Sequence, residues 1–396
     1  MNRIALVWAA PARLVEITAR YEPYYRGFCA IGWDPVVVTT RQAALGFSYP
    51  VHEVDDPARF RDPEFWSGFG AQAGLLITWL GLADELAAMQ AAGLATIAVT
   101  DSDGYATSRS HPREWLRRMC LYQPTFGLKL RAAGFWVRRY LFHARREARA
   151  VLNSLQHSDV VVMHSPGAVA NLRRFNELYG GHELSCCPRV VPYPIDELFC
   201  DPDPAIAARA NRVVAVSRWD DPQKDARLMV RTLEAYYAGG GTAEVILVGR
   251  NGEPWFGPLS RRLPLVRYVG VQSRESLRQL FLNSRVILFS SRWETGPIAA
   301  GEALASGCTL VGPPLLNFVT YHLAGPFGEA SRTRSPRELA TVLARELAGW
   351  DRGERDPATT AAYWRAKLHP VTVCRQLLAL LELSSASTRA ASQPAR

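Results

Sequence analysis

The strongest constraint in this chain is an alternation that occurs twice. Short, β-branched apolar runs alternate with stretches of helical periodicity, first over residues 3–192 and again over 212–347. That pattern is the signature of parallel strands joined by crossover helices. In the first set the strands are expected at Arg3–Trp8, Pro35–Thr40, Leu75–Trp79, Ala95–Thr100, Asp159–His164 and Arg189–Pro192. In the second they fall at Arg212–Ser217, Glu244–Gly249, Val266–Val269, Val286–Ser290 and Cys308–Val311. These runs are almost continuously apolar, as strands covered on both faces must be. The expected fold class is therefore α/β, with two doubly wound domains. Their spans are 1–198, a linker over 199–211, 212–365, a closing helix over 366–385, and a flexible tail over 386–396.

The chemistry concentrates in Val286–Val311, VILFSSRWETGPIAAGEALASGCTLV. A strand ends near Ser291, a turn carries Glu294, Thr295 and Gly296, and Pro297 stands where a helix begins, a position its locked φ favours. The free amides at such a helix start form an anion site at the carboxyl edge of a sheet. Two carboxylates beside a site for phosphate make sense only if they meet neutral hydroxyls, which a sugar and a ribose supply. Upstream, VVAVSRWDDPQKD over Val213–Asp225 reads as a strand, a turn and a helix start, with Arg218 and Lys224 in the turn.

Glu294 and Glu302 are separated by seven residues, and their surroundings resemble the E-x7-E motif of retaining GT-B glycosyltransferases, notably family 4. The resemblance implies two Rossmann-like domains facing an interdomain cleft, with the acceptor held by the first, a nucleotide-diphosphate sugar by the second, and the C-terminal helix crossing back to the first. It brings Glu294 to the donor sugar, Glu302 to the ribose hydroxyls, and the backbone of Thr295, Gly296, Pro297 and Ile298 to the sugar and diphosphate. Arg218 and Lys224 match the family's Arg…Lys signature, whose cations neutralise the diphosphate. A strand and glycine turn at Val248–Gly252 supplies Gly249, and the base-holding loop VGVQ over Val269–Gln272 supplies Val271. The usual EGFG opening is ETGP here, which leaves the donor sugar undefined. No cofactor and no metal are implied, the nucleotide sugar serving as co-substrate.

On the acceptor side, Asp101 follows the strand Ala95–Thr100 at the place where relatives carry a His or Asp, and His164 closes a later strand. Asp101-Ser102-Asp103 also spells the DxD of metal-dependent glycosyltransferases, but the two-fold organisation opposes that fold and a DSDG tetrapeptide makes an ordinary turn. No GxGxxG follows an expected strand, which removes the dinucleotide-binding reading, and no GxSxG marks a hydrolase.

Charge adds a partner question. Basic residues number 46 and acidic ones 37, and most of the resulting +9 sits between Arg109 and Arg149, where eleven cations face two glutamates among interleaved aromatics. Three readings stay open: a solvated helix pair, an amphipathic surface for anionic lipid, and a groove for a polyanionic acceptor, nucleic acid included. Seven cysteines without a matched CxxC pair suit a reducing compartment. No apolar run reaches the ~18 residues of a membrane span. The expected location is the cytoplasm, with a peripheral position on the inner face of the plasma membrane as an option. Two rival functions share this architecture, a catalytically silent binding module and a nucleotide-sugar epimerase.

Overall fold

The computed structural model describes residues 2–8, 15–40, 49–78, 82–100, 126–142, 144–180, 188–201, 209–221, 223–292, 294, 296–314 and 326–392. The chain divides into two units, one of Met1–Leu116, Ala133–Asp196 and His369–Arg396, the other of Arg117–Ala132 and Glu197–Leu368.

The first unit is built on seven strands: β1 (Arg3–Trp8), β2 (Asp34–Thr40), β3 (Val51–Val54), β4 (Ala73–Thr78), β5 (Ala95–Thr100), β6 (Val160–Met163) and β7 (Arg189–Val190). They are all parallel and lie in the order β3-β2-β1-β4-β5-β6-β7. Helices α1 (Val15–Ala30), α2 (Pro63–Phe69), α3 (Ala83–Ala91), α4 (Phe126–Phe142), α5 (Ala144–Gln156) and α6 (Pro166–Tyr179) occupy the connections, α4 beginning within the stretch Arg117–Ala132 that groups with the second unit. Strand β1 shows why its sequence is apolar throughout. Ile4, Leu6 and Trp8 pack with Tyr24 and Phe28 on one face, while Ala5 and Val7 pack with Phe60, Trp66 and Leu86 on the other.

The second unit follows with β8 (Arg212–Val216), α7 (Ala226–Ala238), β9 (Glu244–Val248), α8 (Glu253–Arg262), β10 (Val266–Gly270), α9 (Arg274–Leu282), β11 (Val286–Leu288), α10 (Ile298–Ala305), β12 (Thr309–Gly312), β13 (Gly328–Ala330), α11 (Pro336–Asp351) and α12 (Pro357–Leu368). Its six parallel strands run β10-β9-β8-β11-β12-β13. The direction of winding reverses between β8 and β11, and such a switch point is where open α/β sheets bind their ligands. Both domains are doubly wound, as expected from the alternation.

The last helix, α13 (Pro370–Ser392), belongs to the first unit, where Val373, Cys374 and Leu377 join the core under α1. The two helices approach so closely that a Cβ on Gly27 would stand 2.7 Å from Cys374 Sγ and from the Pro370 carbonyl oxygen. Three details differ from expectation. Helical backbone continues to Ser392, through residues read as a tail. Strands β3 and β13 were not anticipated. Residues of the expected linker are built into the second unit: Phe199 is buried against Phe281, and the Arg209 guanidinium donates to Phe281 O at 2.9 Å, to Ser284 O at 2.5 Å and to Ser306 O. Arg209 thereby satisfies carbonyls left over at the ends of both α9 and α10.

Candidate active site

The loop after β8 and the loop after β11 flank the switch point, and each carries a charged residue toward the other. Lys224 Nζ donates to Glu294 Oε1 at 2.6 Å, with the lysine side chain 16% exposed and the glutamate 5%. Gln223 Nε2 reaches the second carboxylate oxygen at 3.3 Å. A primary amine and a carboxylate this close compensate each other away from water, and removing either leaves its partner buried without one.

What fixes that pair is the next residue. Asp225 takes up a left-handed conformation at φ 49°, buried at the start of α7, and its Oδ1 accepts from the Leu228 amide as a helix cap. Its Oδ2 receives two guanidinium groups, Arg292 at 3.0 Å and Arg334 at 2.8 Å. Arg334 also donates to the carbonyls of Ser290 and Ser291. Ser290 Oγ in turn donates to Lys224 O, and the Arg292 amide donates to Gln223 O. The two loops are therefore stitched together by backbone and side chain alike. Burial presses the Arg334 guanidinium below its usual value, opposed by the neighbouring Asp225 carboxylate.

The remaining strand ends continue the same rim. The Ser217 amide donates to Val248 O and the Gly249 amide to Gly270 O, which joins the ends of β8, β9 and β10. Gly249 has φ 127°, and a Cβ there would overlap the Ser217 carbonyl, so no other residue fits. Val271 projects from the loop after β10, 72% exposed. Arg218, on the loop after β8, pairs with Asp221 at 2.8 Å, and Asp221 accepts from the Gln223 amide. Beyond Glu294, Gly296 and Pro297 lead into α10, whose first turn has no side-chain cap. Its amides and dipole face the entry of that loop, an arrangement suited to an anion.

Glu302, one helical turn further into α10, is 1% exposed and meets Arg274 Nη2 at 2.6 Å. The structure thus brings Lys224 and Glu294 together, sets Glu302 on the adjoining helix, and places Arg218, Gly249 and Val271 along one rim. Asp101 and Thr295 lie outside the described residues. His164 is a packing residue in this structure. It is 1% exposed, its Nδ1 lies 3.0 Å from Val191 O, and its ring stacks on Tyr193 at 3.5 Å. Nothing in the sequence singles out Asp225, Arg274, Arg292 or Arg334; the ETGP step is a local departure that points only toward its neighbourhood. Among the described residues no group of three or more His, Cys, Asp or Glu is placed to hold a metal ion.

The fold and this rim define the class: the chain has the GT-B fold. Sucrose-phosphate synthase from Thermosynechococcus elongatus superposes with a TM-score of 0.60 at 17% identity, over 98% of this chain and 100% of that one. The Anabaena protein HepE, solved with UDP-glucose, gives 0.62 at 14% identity, over 98% and 100%. A glycosyltransferase from Rickettsia africae gives 0.65 at 11% identity, over 97% and 98%. Residues 210–343 match the family of Glycosyl transferases group 1, a stretch that contains Arg218, Lys224, Glu294 and Glu302. No curated protein matches the chain.

Proposed function

We propose that this protein is a retaining, metal-independent glycosyltransferase that moves a sugar from a nucleoside-diphosphate sugar to a hydroxyl acceptor. The observation that carries the reading is the 2.6 Å Lys224–Glu294 pair at the β8/β11 switch point, beside the uncapped start of α10. An incoming diphosphate is attracted by Lys224, Arg218 and the α10 amides, while Glu294 accepts from hydroxyls of the donor sugar. As the bond from the anomeric carbon to the diphosphate oxygen breaks, negative charge grows on that oxygen. Fixed cations and amides stabilise it more in the transition state than in the ground state. The acceptor oxygen bonds the anomeric carbon on the same face and its proton passes to the departing phosphate, which conserves the anomeric configuration. Glu302 accepts from the ribose. HepE was solved with UDP-glucose, which supports a nucleotide sugar as the donor class.

Incubating the chain with UDP-, ADP- and GDP-sugars tests the reading. Release of nucleoside diphosphate, with the product anomer read by NMR, is expected. An isomerised donor without release would show an epimerase instead, and a chain inert toward all three would be a silent module.

A second proposal concerns the partner. Phe126, Leu130, Phe135, Val137 and Phe142 stand exposed on α4, a helix with four basic residues and no acidic one. Exposed aromatics among cations suit the boundary of an anionic bilayer better than bulk water. We propose peripheral docking on such a membrane, in keeping with a cytoplasmic enzyme. No helix among the described residues is long and apolar enough to cross one. Flotation with phosphatidylglycerol vesicles at low salt is expected to carry the chain upward, and neutral vesicles are not.

A further inference from the structure

The Arg274–Glu302 pair has a third member. The Arg274 guanidinium lies over the Phe199 ring, 4.8 Å from its centroid, while its Nη2 stands 2.6 Å from Glu302 Oε1 as an ion pair. A planar cation set over an aromatic ring and ion-paired with a carboxylate is restricted in its rotation before any substrate arrives. Phe199 is fixed in turn, 1% exposed and packed on Phe281 of α9.

The position along the chain matters as much. Arg274 is the first residue of α9, separated only by the Ser273 cap from the Val269–Gln272 loop. It therefore links the loop assigned to the base with the carboxylate assigned to the ribose. The arginine side chain is 37% exposed and the glutamate side chain 2%. A carboxylate so deeply buried is steadied by a cation beside it, and its oxygens are acceptors suited to hydroxyl groups.

We infer that Arg274, braced by Phe199, is a positioning residue that keeps Glu302 aimed at the ribose hydroxyls, and so sets the preference for ribonucleotide over deoxyribonucleotide donors. The inference rests on the donor chemistry proposed above. Arg274 acts through Glu302 and takes no part in breaking the glycosidic bond, so its loss falls on donor binding and leaves turnover almost unchanged.

The test uses the full chain and calorimetric affinities for UDP, ADP and GDP and for their 2′-deoxy and 3′-deoxy counterparts. The unaltered chain is expected to prefer the ribonucleotide by about tenfold, the worth of one charge-assisted hydrogen bond. Arg274→Met should weaken ribonucleotide binding by about tenfold and abolish the preference, because the deoxy forms have no such bond to lose. Arg274→Lys should restore part of both. If Arg274→Met fails to fold because Glu302 is left uncompensated, the double variant R274M/E302Q removes that charge and is expected to bind both sugars alike. A variant at Arg274 that keeps the full ribose preference overturns the inference while leaving the donor reading in place. Absence of binding by the unaltered chain to all three nucleotides overturns the donor reading, and this inference with it.

Discussion

Two buried glutamates eight positions apart each meet a cation at 2.6 Å, yet the two pairs are made differently. Lys224 offers Glu294 a compact ammonium on a flexible stem, and its orientation comes from the loops that Asp225 clamps with Arg292 and Arg334. Arg274 offers Glu302 a planar fork whose plane is fixed by Phe199. A point charge on a flexible chain can shift toward a phosphate when one arrives; a braced fork stays where it is. The first pair suits a site where charge changes during reaction, the second a site where recognition must hold constant. The contrast predicts that Glu294 belongs to kcat and Glu302 to KM.

The largest expected effect is at Lys224. Lys224→Ala should lower kcat by about 10²–10³-fold, the range found when one preorganised charge-stabilising group is lost. Glu294→Gln should also fall on kcat, whereas Glu302→Gln should raise donor KM by about tenfold with kcat nearly unchanged. Steady-state kinetics on the two variants decides, and equal effects on kcat would break the contrast. Next comes Asp225→Ala, which strands two half-buried guanidinium groups and should cost roughly 2–3 kcal/mol in denaturant unfolding. Asp225→Gly keeps the left-handed backbone available but still loses the clamp, so it should recover little of that stability. Arg209→Ala should cost roughly 2–3 kcal/mol through orphaned carbonyls while leaving the Lys224–Glu294 pair intact. The smallest effect is expected from Phe126→Ser with Phe142→Ser, which should weaken vesicle flotation and leave transfer to a soluble acceptor unchanged.

Much of the fold was legible because its determinants are local. Continuous β-branched runs such as Val36–Val38 and Val160–Val162 announce buried strands, and turn residues such as Gly307 punctuate the helices between them. Strand β13, Gly328-Glu329-Ala330, has no β-branched residue and exists because β12 offers an open edge. Helix α8 carries Pro254, Gly257 and Pro258 and gives no clean period. For the site, Glu294, Glu302, Arg218 and Lys224 sit in compact motifs and could be named. Their partners could not, because Arg334 meets Asp225 across 109 positions and only the folded chain pairs them. Arg274 was hidden for the same reason, since the ring and the carboxylate it meets come from separate segments.

The anchoring of Arg209 carries a practical lesson for excising the second unit. The family match starts at residue 210, one position after the guanidinium that plugs the ends of α9 and α10. Those helices hold Arg274 and Glu302, so a fragment cut at the match boundary would loosen the recognition half of the rim at its roots. A fragment beginning at Glu197 keeps both the plug and the aromatic shelf provided by Phe199.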